Sequence, residues 1–135
     1  MAVTSNSRAA IDMAGLDSAI EREMLRPFHW GENDCCLAAC NVLASMGFGD
    51  AAAAYRGRYS DEPGACLVMA GTTEEVAERE AARIGWPEIN PADARDCDVG
   101  VVGHSLAIFS GGWWNAKSMD GVVMKRRVRR AWRPA

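Results

Sequence analysis

A cysteine placed for nucleophilic chemistry stands at residue 35, directly after an aromatic-glycine turn and an Asn-Asp pair. Residues 28–31 (Phe-His-Trp-Gly) form the turn, and Asn33 or Asp34 can cap the helix that follows. Backbone N–H groups at the N-terminus of a helix favour negative charge, so they lower the pKa of a thiol there. Cys35 is therefore a candidate nucleophile, provided that the fold brings a histidine to it.

Two histidines could serve as the base for this thiol. His104 stands just before an apolar strand in the second half of the chain, and we expect it to take the proton from Cys35. His29 belongs to the turn before Cys35, and we expect it to be a turn residue that reaches the thiol only in an unusual arrangement. Cys36 is the alternative nucleophile. If neither thiol is catalytic, both are buried helix residues like Cys40.

The composition indicates one globular domain and excludes several classes of protein. The chain has 135 residues, of which 49% are hydrophobic and 24% are charged, so it is long enough to bury a core. We expect residues 1–13 to be flexible. No apolar run has the length of a membrane span or of a signal-peptide core, which indicates synthesis in a cytoplasm and no membrane partner.

The cysteines and histidines do not have the spacing of a metal site or of a disulfide scaffold. There are five cysteines, an odd number, and no Cys-x-x-Cys pair occurs among them. The two histidines, His29 and His104, are too far apart in the sequence to form a ligand couple. We therefore expect no metal, no cofactor and no disulfide framework.

Hydrophobic periodicity places helices in the first part of the chain and an antiparallel meander in the second, an α+β domain. A helix is expected from Asp17 to Pro27, a second to about Met46, a third over 65–70 and a fourth from the cap Thr72 to Ile84. The capping box of this fourth helix is Thr72-Thr73-Glu74-Glu75. Short strands are expected at 98–102, 106–109, 113–116 and 122–124, with glycine turns between them.

Basic residues are concentrated near the C-terminus, although the net charge is −3. Six of the fifteen lysines and arginines lie within residues 125–133. Such a run could bind nucleic acid or an anionic partner. Val128 and Trp132 alternate with these cations, so we expect a strand with a solvated basic face and disfavour nucleic-acid binding.

Taken together, these motifs resemble the NlpC-type papain-like cysteine peptidases. The first motif of that family, Tyr-x-Trp-Gly followed by Asp-Cys-Ser-Gly, is similar to residues 28–31 and 34–36 here. The second motif is similar to Cys97-Asp98-Val99, to the strand 106–109 and to the strand 113–116. The closest likeness is to a short, divergent, phage tail-associated branch, on the strength of 30–35 (Trp-Gly-x-x-Asp-Cys), 56–59 (Arg-Gly-Arg-Tyr) and 131–133 (Ala-Trp-Arg).

The resemblance implies one papain-like domain over residues 1–135, with helices packed on a small β-meander. It implies a cysteine endopeptidase of a phage tail tip or baseplate that cuts peptidoglycan stem peptides, carried in the virion beside a hub or distal tail protein. Cys35 would be the nucleophile, His104 the base and Asn115 the residue that orients it. Trp30, Trp113 and Trp114 could wall a substrate groove, although large aromatic residues in a small domain are mostly core.

An alternative is that the chain keeps this fold as a structural tail component without the chemistry. If 106–109 aligns with the family's strand, the family's histidine falls on Ser105, and His104 stands one residue early. One residue of slip turns a strand side chain to the other face, unless a β-bulge near Gly103 corrects its direction. This alternative predicts a protein interface through the basic C-terminal segment or through the loop 55–59.

Overall fold

The computed structural model describes residues 10–135, which form four helices and one six-stranded antiparallel sheet. The helices are α1 (Met13–Leu25), α2 (Leu37–Ser45), α3 (Glu62–Met69) and α4 (Thr73–Ile84), and a short 3₁₀ helix covers Pro91–Asp93. The strands are β1 (Glu88–Ile89), β2 (Val99–Val102), β3 (Ser105–Ser110), β4 (Trp113–Ser118), β5 (Gly121–Lys125) and β6 (Ala131–Trp132). The predicted α+β class is confirmed. None of the described helices is long and apolar enough to cross a membrane.

The first helix begins four residues earlier than the expected Asp17. Asp12 caps it, because the Asp12 Oδ1 atom accepts a hydrogen bond from the backbone N–H of Gly15 at 3.0 Å. Residues 1–9 of the segment expected to be flexible lie outside the described residues, and Met13 is already helical. The predicted capping box of Thr72 and Glu75 at the start of α4 is confirmed, and Gly85 ends this helix in the αL conformation.

The sheet is ordered β1-β6-β2-β3-β4-β5, and it has two unlike faces. On one face Ile108 and Trp132 pack against Leu16 and Val42 of the first two helices. The opposite face carries a second apolar cluster, formed by Ala107, Trp114, Ala116 and Ala131. Because consecutive residues of a strand alternate between these faces, the register decides which side chains meet the helices.

The prediction of a single basic strand near the C-terminus is wrong. The chain leaves the sheet edge after β5 and crosses the face opposite the helices over residues 126–130. It then re-enters as β6, between β1 and β2. Val128 packs over Trp114 during this crossing, and Gly100 makes room for both. A Cβ on Gly100 would stand 2.9 Å from Trp114 and 3.1 Å from Val128.

Three arginines of this segment are paired within the chain and do not form a free basic surface. Arg129 binds Glu74 at 2.8 Å and Arg130 binds Glu88 at 2.7 Å. The third pair is formed by Arg133, whose guanidinium lies 2.8 Å from the buried carboxylate of Asp98. The crossing and its ion pairs therefore fasten the C-terminal segment to α4 and to β1 and β2.

A buried lysine of β4 fastens the end of α1 to the sheet. Lys117 is 2% exposed, and its ammonium donates hydrogen bonds to the carbonyls of Glu23 (2.9 Å) and Arg26 and to the Asn33 Oδ1 atom. Asn33 in turn donates to the Glu23 carboxylate at 2.9 Å. Burial and the charge of Arg26 lower the pKa of Lys117. Lys117 thus ties the turn that precedes Cys35 to β4 and to the end of α1.

Replacing Lys117 with methionine should destabilise the protein. The substitution keeps the apolar stem but leaves three acceptors, two of them buried, without a donor, and we expect a loss of about 2–4 kcal/mol in the free energy of unfolding. Urea unfolding measures it. The matched control is Lys125→Met, whose side chain is exposed and whose effect should stay within about 0.5 kcal/mol. Equal effects of the two variants would show that Lys117 is no anchor.

Candidate functional site

The turn before α2 is organised by one buried carboxylate, that of Asp34, which is 1% exposed. Its Oδ1 atom accepts hydrogen bonds from the backbone N–H groups of Cys36 (3.0 Å) and Leu37 (2.9 Å). Its Oδ2 atom accepts from the N–H of Gly31 (3.0 Å) and the hydroxyl of Tyr59 (2.6 Å). Asp34 therefore caps the start of α2 with its Oδ1 atom and holds Gly31 and Tyr59 with its Oδ2 atom. Each carboxylate oxygen thus accepts two hydrogen bonds.

Cys35 lies in the turn two residues before the first residue of α2, and its side chain is half-buried. Its pKa is lowered below the ordinary 9.0, and the largest cause is the neighbouring Cys36 side chain, which favours the charged form of the Cys35 sulfur. Burial and the nearby carboxylates of Asp34 and Glu62 act in the opposite direction, whereas its own backbone N–H helps the thiolate. The predicted candidate is thus a thiol poised toward its nucleophilic form.

Cys36 has the opposite character, although it is the next residue. Its pKa is raised well above the ordinary value, first by the hydrogen bond with Cys35, then by burial and by the charge of Cys35. The Cys36 Sγ atom lies 3.8 Å from the carbonyl oxygen of His104. One turn along α2, burial raises the pKa of Cys40 to about 12. Of these three thiols, Cys35 is the one whose pKa is lowered.

The hairpin of β2 and β3 meets the cysteine turn through its backbone. The N–H of Leu106 donates to the carbonyl of Cys35 at 2.9 Å. Because Val102 pairs with Ser105, Gly103 and His104 are the two residues of the hairpin turn. Gly103 has a φ of +59°, which suits the first position of such a turn. The structure therefore has a tight two-residue turn at Gly103, and not the β-bulge that could have redirected the His104 side chain.

The His104 backbone is close to the thiols, but its ring is not bonded to them. The His104 carbonyl accepts from the Thr73 hydroxyl at 2.8 Å and faces the Cys36 thiol. Its side chain is exposed, and within residues 10–135 no hydrogen bond joins the ring to Cys35. His29 is a turn residue as expected, paired with Asn33 through the backbone. Among the described residues, the expected thiol–imidazole pair is therefore not joined by a hydrogen bond in this conformation.

Asn115 is not beside His104, so the expected orienting contact is absent too. Asn115 lies opposite Ile108 in the register of β3 and β4, four residues along the strand from position 104. At about 3.3 Å per residue this is a separation of roughly 13 Å. The Asn115 amide instead donates to the carbonyls of Ile108 (3.2 Å) and Trp113 (3.1 Å).

The three tryptophans named as possible groove walls do not come together. Trp30 is half-buried and packs edge-on against Phe28, with ring centroids 4.8 Å apart. The Trp113 ring lies under the guanidinium of Arg126, at 4.0 Å. Trp114, its neighbour in sequence, points to the opposite face of the sheet and is 1% exposed. Trp114 is therefore a core residue.

An apolar pocket of about 70 Å³ lies beside Cys36, between α2, α4 and the sheet. Its walls include Leu43, Val76, Trp86 and Trp132. None of the three tryptophans named as possible groove walls lines it. Thr73 and Glu80 are at its polar edge. The pocket can accept a small apolar group next to the thiol pair.

Sequence reasoning missed two residues that position the site, Tyr59 and Lys117. Lys117 lies two residues after Asn115 in β4, so the two side chains point to the same face of the sheet. The strand period alone could therefore have predicted the direction of Lys117. Tyr59 belongs to the loop 55–59, and its contact with Asp34 depends on tertiary folding, for which the sequence offers no local signal. Among the described residues, no group of three or more His, Cys, Asp and Glu side chains is arranged to hold a metal ion.

Comparison with known proteins gives one match. The family model described as Domain of unknown function (DUF6950) matches residues 8–134. The match therefore includes the cysteine turn, all four helices and the whole sheet. No curated protein and no solved structure matches the chain.

The pH dependence of alkylation should reveal the unequal thiols. We expect the rate of Cys35 modification by iodoacetamide, followed by peptide mass spectrometry, to reach half its maximum below pH 9.0, the ordinary pKa. In Cys36→Ala this midpoint should move upward, because the neighbouring side chain that lowers the pKa of Cys35 is gone. Cys66→Ser, on the exposed side of α3, is the control. An unchanged midpoint in Cys36→Ala would contradict the assignment.

Proposed function

The chain belongs to the DUF6950 family, and we propose that it is a cell-wall cysteine peptidase domain of the NlpC type, acting on peptidoglycan stem peptides from a phage tail tip. The observation that carries the proposal is the Cys35 thiol, whose pKa is lowered and whose turn is held by Asp34. A half-buried thiolate next to a helix N-terminus is a common arrangement for a nucleophile in acyl transfer.

The arrangement of elements supports a papain-like layout. The helix that follows the cysteine packs against β3, and the Cys35 carbonyl is bonded to that strand at Leu106. The residue that would exchange protons, His104, stands at the turn leading into the same strand. A nucleophile before a helix and a histidine on the adjoining antiparallel sheet are the two parts that the NlpC resemblance requires.

In the proposed reaction the Cys35 thiolate attacks the carbonyl carbon of a stem-peptide bond. The N–H of Cys35 stabilises the oxyanion that forms. The leaving amine takes a proton, for which His104 is the donor, and water then hydrolyses the thioester. Asn115 has no part in this scheme, because the sheet register places it about 13 Å from position 104.

His104 reaches the thiols by a change of rotamer in this scheme. Its carbonyl oxygen is 3.8 Å from Cys36 Sγ, and the intervening bond lengths put its Cα within roughly 6.6 Å of that sulfur. The ring is exposed, so it can rotate without disturbing the core. Catalytic contacts commonly tighten only when substrate is bound.

A second candidate function is a structural tail component that has lost the chemistry. It is favoured by the residue at the family's histidine position, Ser105, whose hydroxyl donates to the Lys117 carbonyl at 2.8 Å. With Arg129, Arg130 and Arg133 paired internally, its interface to a hub or distal tail protein would use the loop 55–59.

Digestion of purified peptidoglycan distinguishes the two functions. We expect the wild-type protein to release peptide fragments, Cys35→Ala to release none, and His104→Ala to be slower by about 10²–10⁴-fold, the usual range for loss of a general acid or base. His29→Ala is the matched control, since His29 is also exposed, and it should be as active as wild type.

Two results would count against the peptidase. If wild type releases no fragments while its Cys35 still reacts with iodoacetamide, the domain is the structural alternative. If His29→Ala and His104→Ala lose activity equally, the role given to His104 is wrong. Fragments are separated by chromatography and identified by mass, which also identifies the bond that is cut.

A further inference from the structure

The sheet ends at β5, whose outer edge pairs with no other strand among the described residues. The edge strand at the opposite end, β1, has only two residues, whereas β5 has five. Edge strands are commonly protected from other chains by shortness, proline, bulges or charge. β5 contains no proline, its ladder with β4 has no bulge, and its one charged residue, Lys125, is its last. This edge is therefore open to pairing.

The register with β4 shows which backbone groups of β5 point outward. Ser118 and Gly121 close a two-residue hairpin loop as a hydrogen-bonded pair, and such pairs alternate with non-bonded pairs along an antiparallel ladder. Val122 and Met124 are in the non-bonded pairs, so their N–H and C=O groups face away from the sheet. No backbone hydrogen bond to the loops within residues 10–135 uses these groups.

Exposed apolar side chains are concentrated beside these backbone groups. Of the six large hydrophobic side chains that are exposed in the described part of the chain, three lie within residues 119–124: Met119 (67%), Val122 (37%) and Met124 (50%). Val122 lies opposite Lys117 in the register, so Val122 and Met124 point to the face that carries α1. Apolar exposure next to unpaired strand groups is typical of a surface that another chain covers.

We propose that β5 pairs antiparallel with β5 of a second copy of this chain, about a twofold axis at Val123, so that the two sheets join into one. In this register Val122 of one copy lies opposite Met124 of the other, and each such pair exchanges both N–H···O bonds. The outward-facing groups of both residues are thereby bonded in both copies. The contact is isologous, as expected for a twofold dimer.

Charge complementarity favours a second copy and this register. Counting outward from Val123, Asp120 of one copy lies opposite Arg126 of the other on both sides of the axis. Within the described residues, neither Asp120 nor Arg126 forms an ion pair. Moving the axis one residue along β5 in either direction would place Asp120 opposite Met124, or Arg126 opposite Val122. Opposite charges facing each other across two strands stabilise their pairing.

This inference does not depend on the proposed peptidase function. Two strands, β3 and β4, separate β5 from β2, and the Cys35 carbonyl is bonded to β3. Because Val123 points to the same face in both copies, the axis is perpendicular to the sheet. Both α1 helices, and both cysteine turns, then lie on one side of the joined sheet. The dimer can fail while the peptidase holds, and the reverse.

Sedimentation equilibrium of the 135-residue chain over a range of concentrations tests the dimer. We expect the mass to rise to twice that of the 14.6 kDa chain. Met124→Lys places a charge in the apolar contact and should raise the dissociation constant by about tenfold or more. The matched control is Leu67→Lys, whose side chain on α3 is also apolar and is 83% exposed, and which should dimerise as wild type does.

A charge exchange tests the register. Asp120→Arg and Arg126→Asp should each weaken the dimer by about tenfold, because like charges then face each other on both sides of the axis. The double variant should return to within about threefold of the wild-type dissociation constant. Circular dichroism checks that each variant is folded. Amide exchange gives a second measurement, since the N–H groups of Val122 and Met124 should exchange more slowly at high protein concentration than at low.

Three results would overturn the proposal. The first is a wild-type chain that stays monomeric up to about 1 mM, far above the range of specific dimers, which would leave the edge to an extended segment of a different protein. The second is a dimer that Met124→Lys and Leu67→Lys affect equally. The third is a double variant no tighter than Asp120→Arg alone, which would place the contact elsewhere on the molecule.

Discussion

The carboxylate of Asp34 is the group on which the candidate site depends. It is buried, and it accepts four hydrogen bonds, from the N–H groups of Gly31, Cys36 and Leu37 and from the Tyr59 hydroxyl. Hydrogen bonds to a charged group contribute about 1.5–3 kcal/mol each. Asp34 thereby fixes the aromatic-glycine turn, the start of α2 and the loop 55–59 around the residue that follows it, Cys35.

Lys117 complements Asp34 from the other side of the same turn. It joins the last turn of α1 and the Asn33 side chain to β4, while Leu106 of β3 holds the Cys35 carbonyl. The thiol is therefore placed by contacts from a helix, a loop and two strands. This rigidity suits a nucleophile, and it leaves the His104 ring, on a tight turn, as the mobile part of the proposed site.

Local signals in the sequence predicted the elements well. The capping box at Thr72 defined α4, and alternation with glycine turns placed the four strands β2 to β5. The role of Asp34 as a cap followed from its position before an apolar helix. The early start of α1 was not predicted, because its cap, Asp12, precedes a segment with weak hydrophobic periodicity.

Features that depend on long-range contacts could not be predicted. The crossing of residues 126–130 rests on Val128 packing over Trp114 and on ion pairs to partners more than thirty residues away, such as Arg133 with Asp98. The placement of Asn115 opposite Ile108 was set by hairpin register. The alignment of residues 106–109 with the family's strand could not show whether His104 would lie in the strand or, as found, in the turn before it.

Amide hydrogen exchange in Asp34→Asn tests most directly whether one carboxylate holds the cysteine turn. The neutral amide cannot accept all four bonds, so the N–H groups of Gly31, Cys36 and Leu37 should exchange about 10–100-fold faster together, which corresponds to about 1.4–2.7 kcal/mol. Asp61→Asn, which alters only the cap of α3, should leave these amides unchanged. Wild-type protection at all three amides in Asp34→Asn would contradict the account.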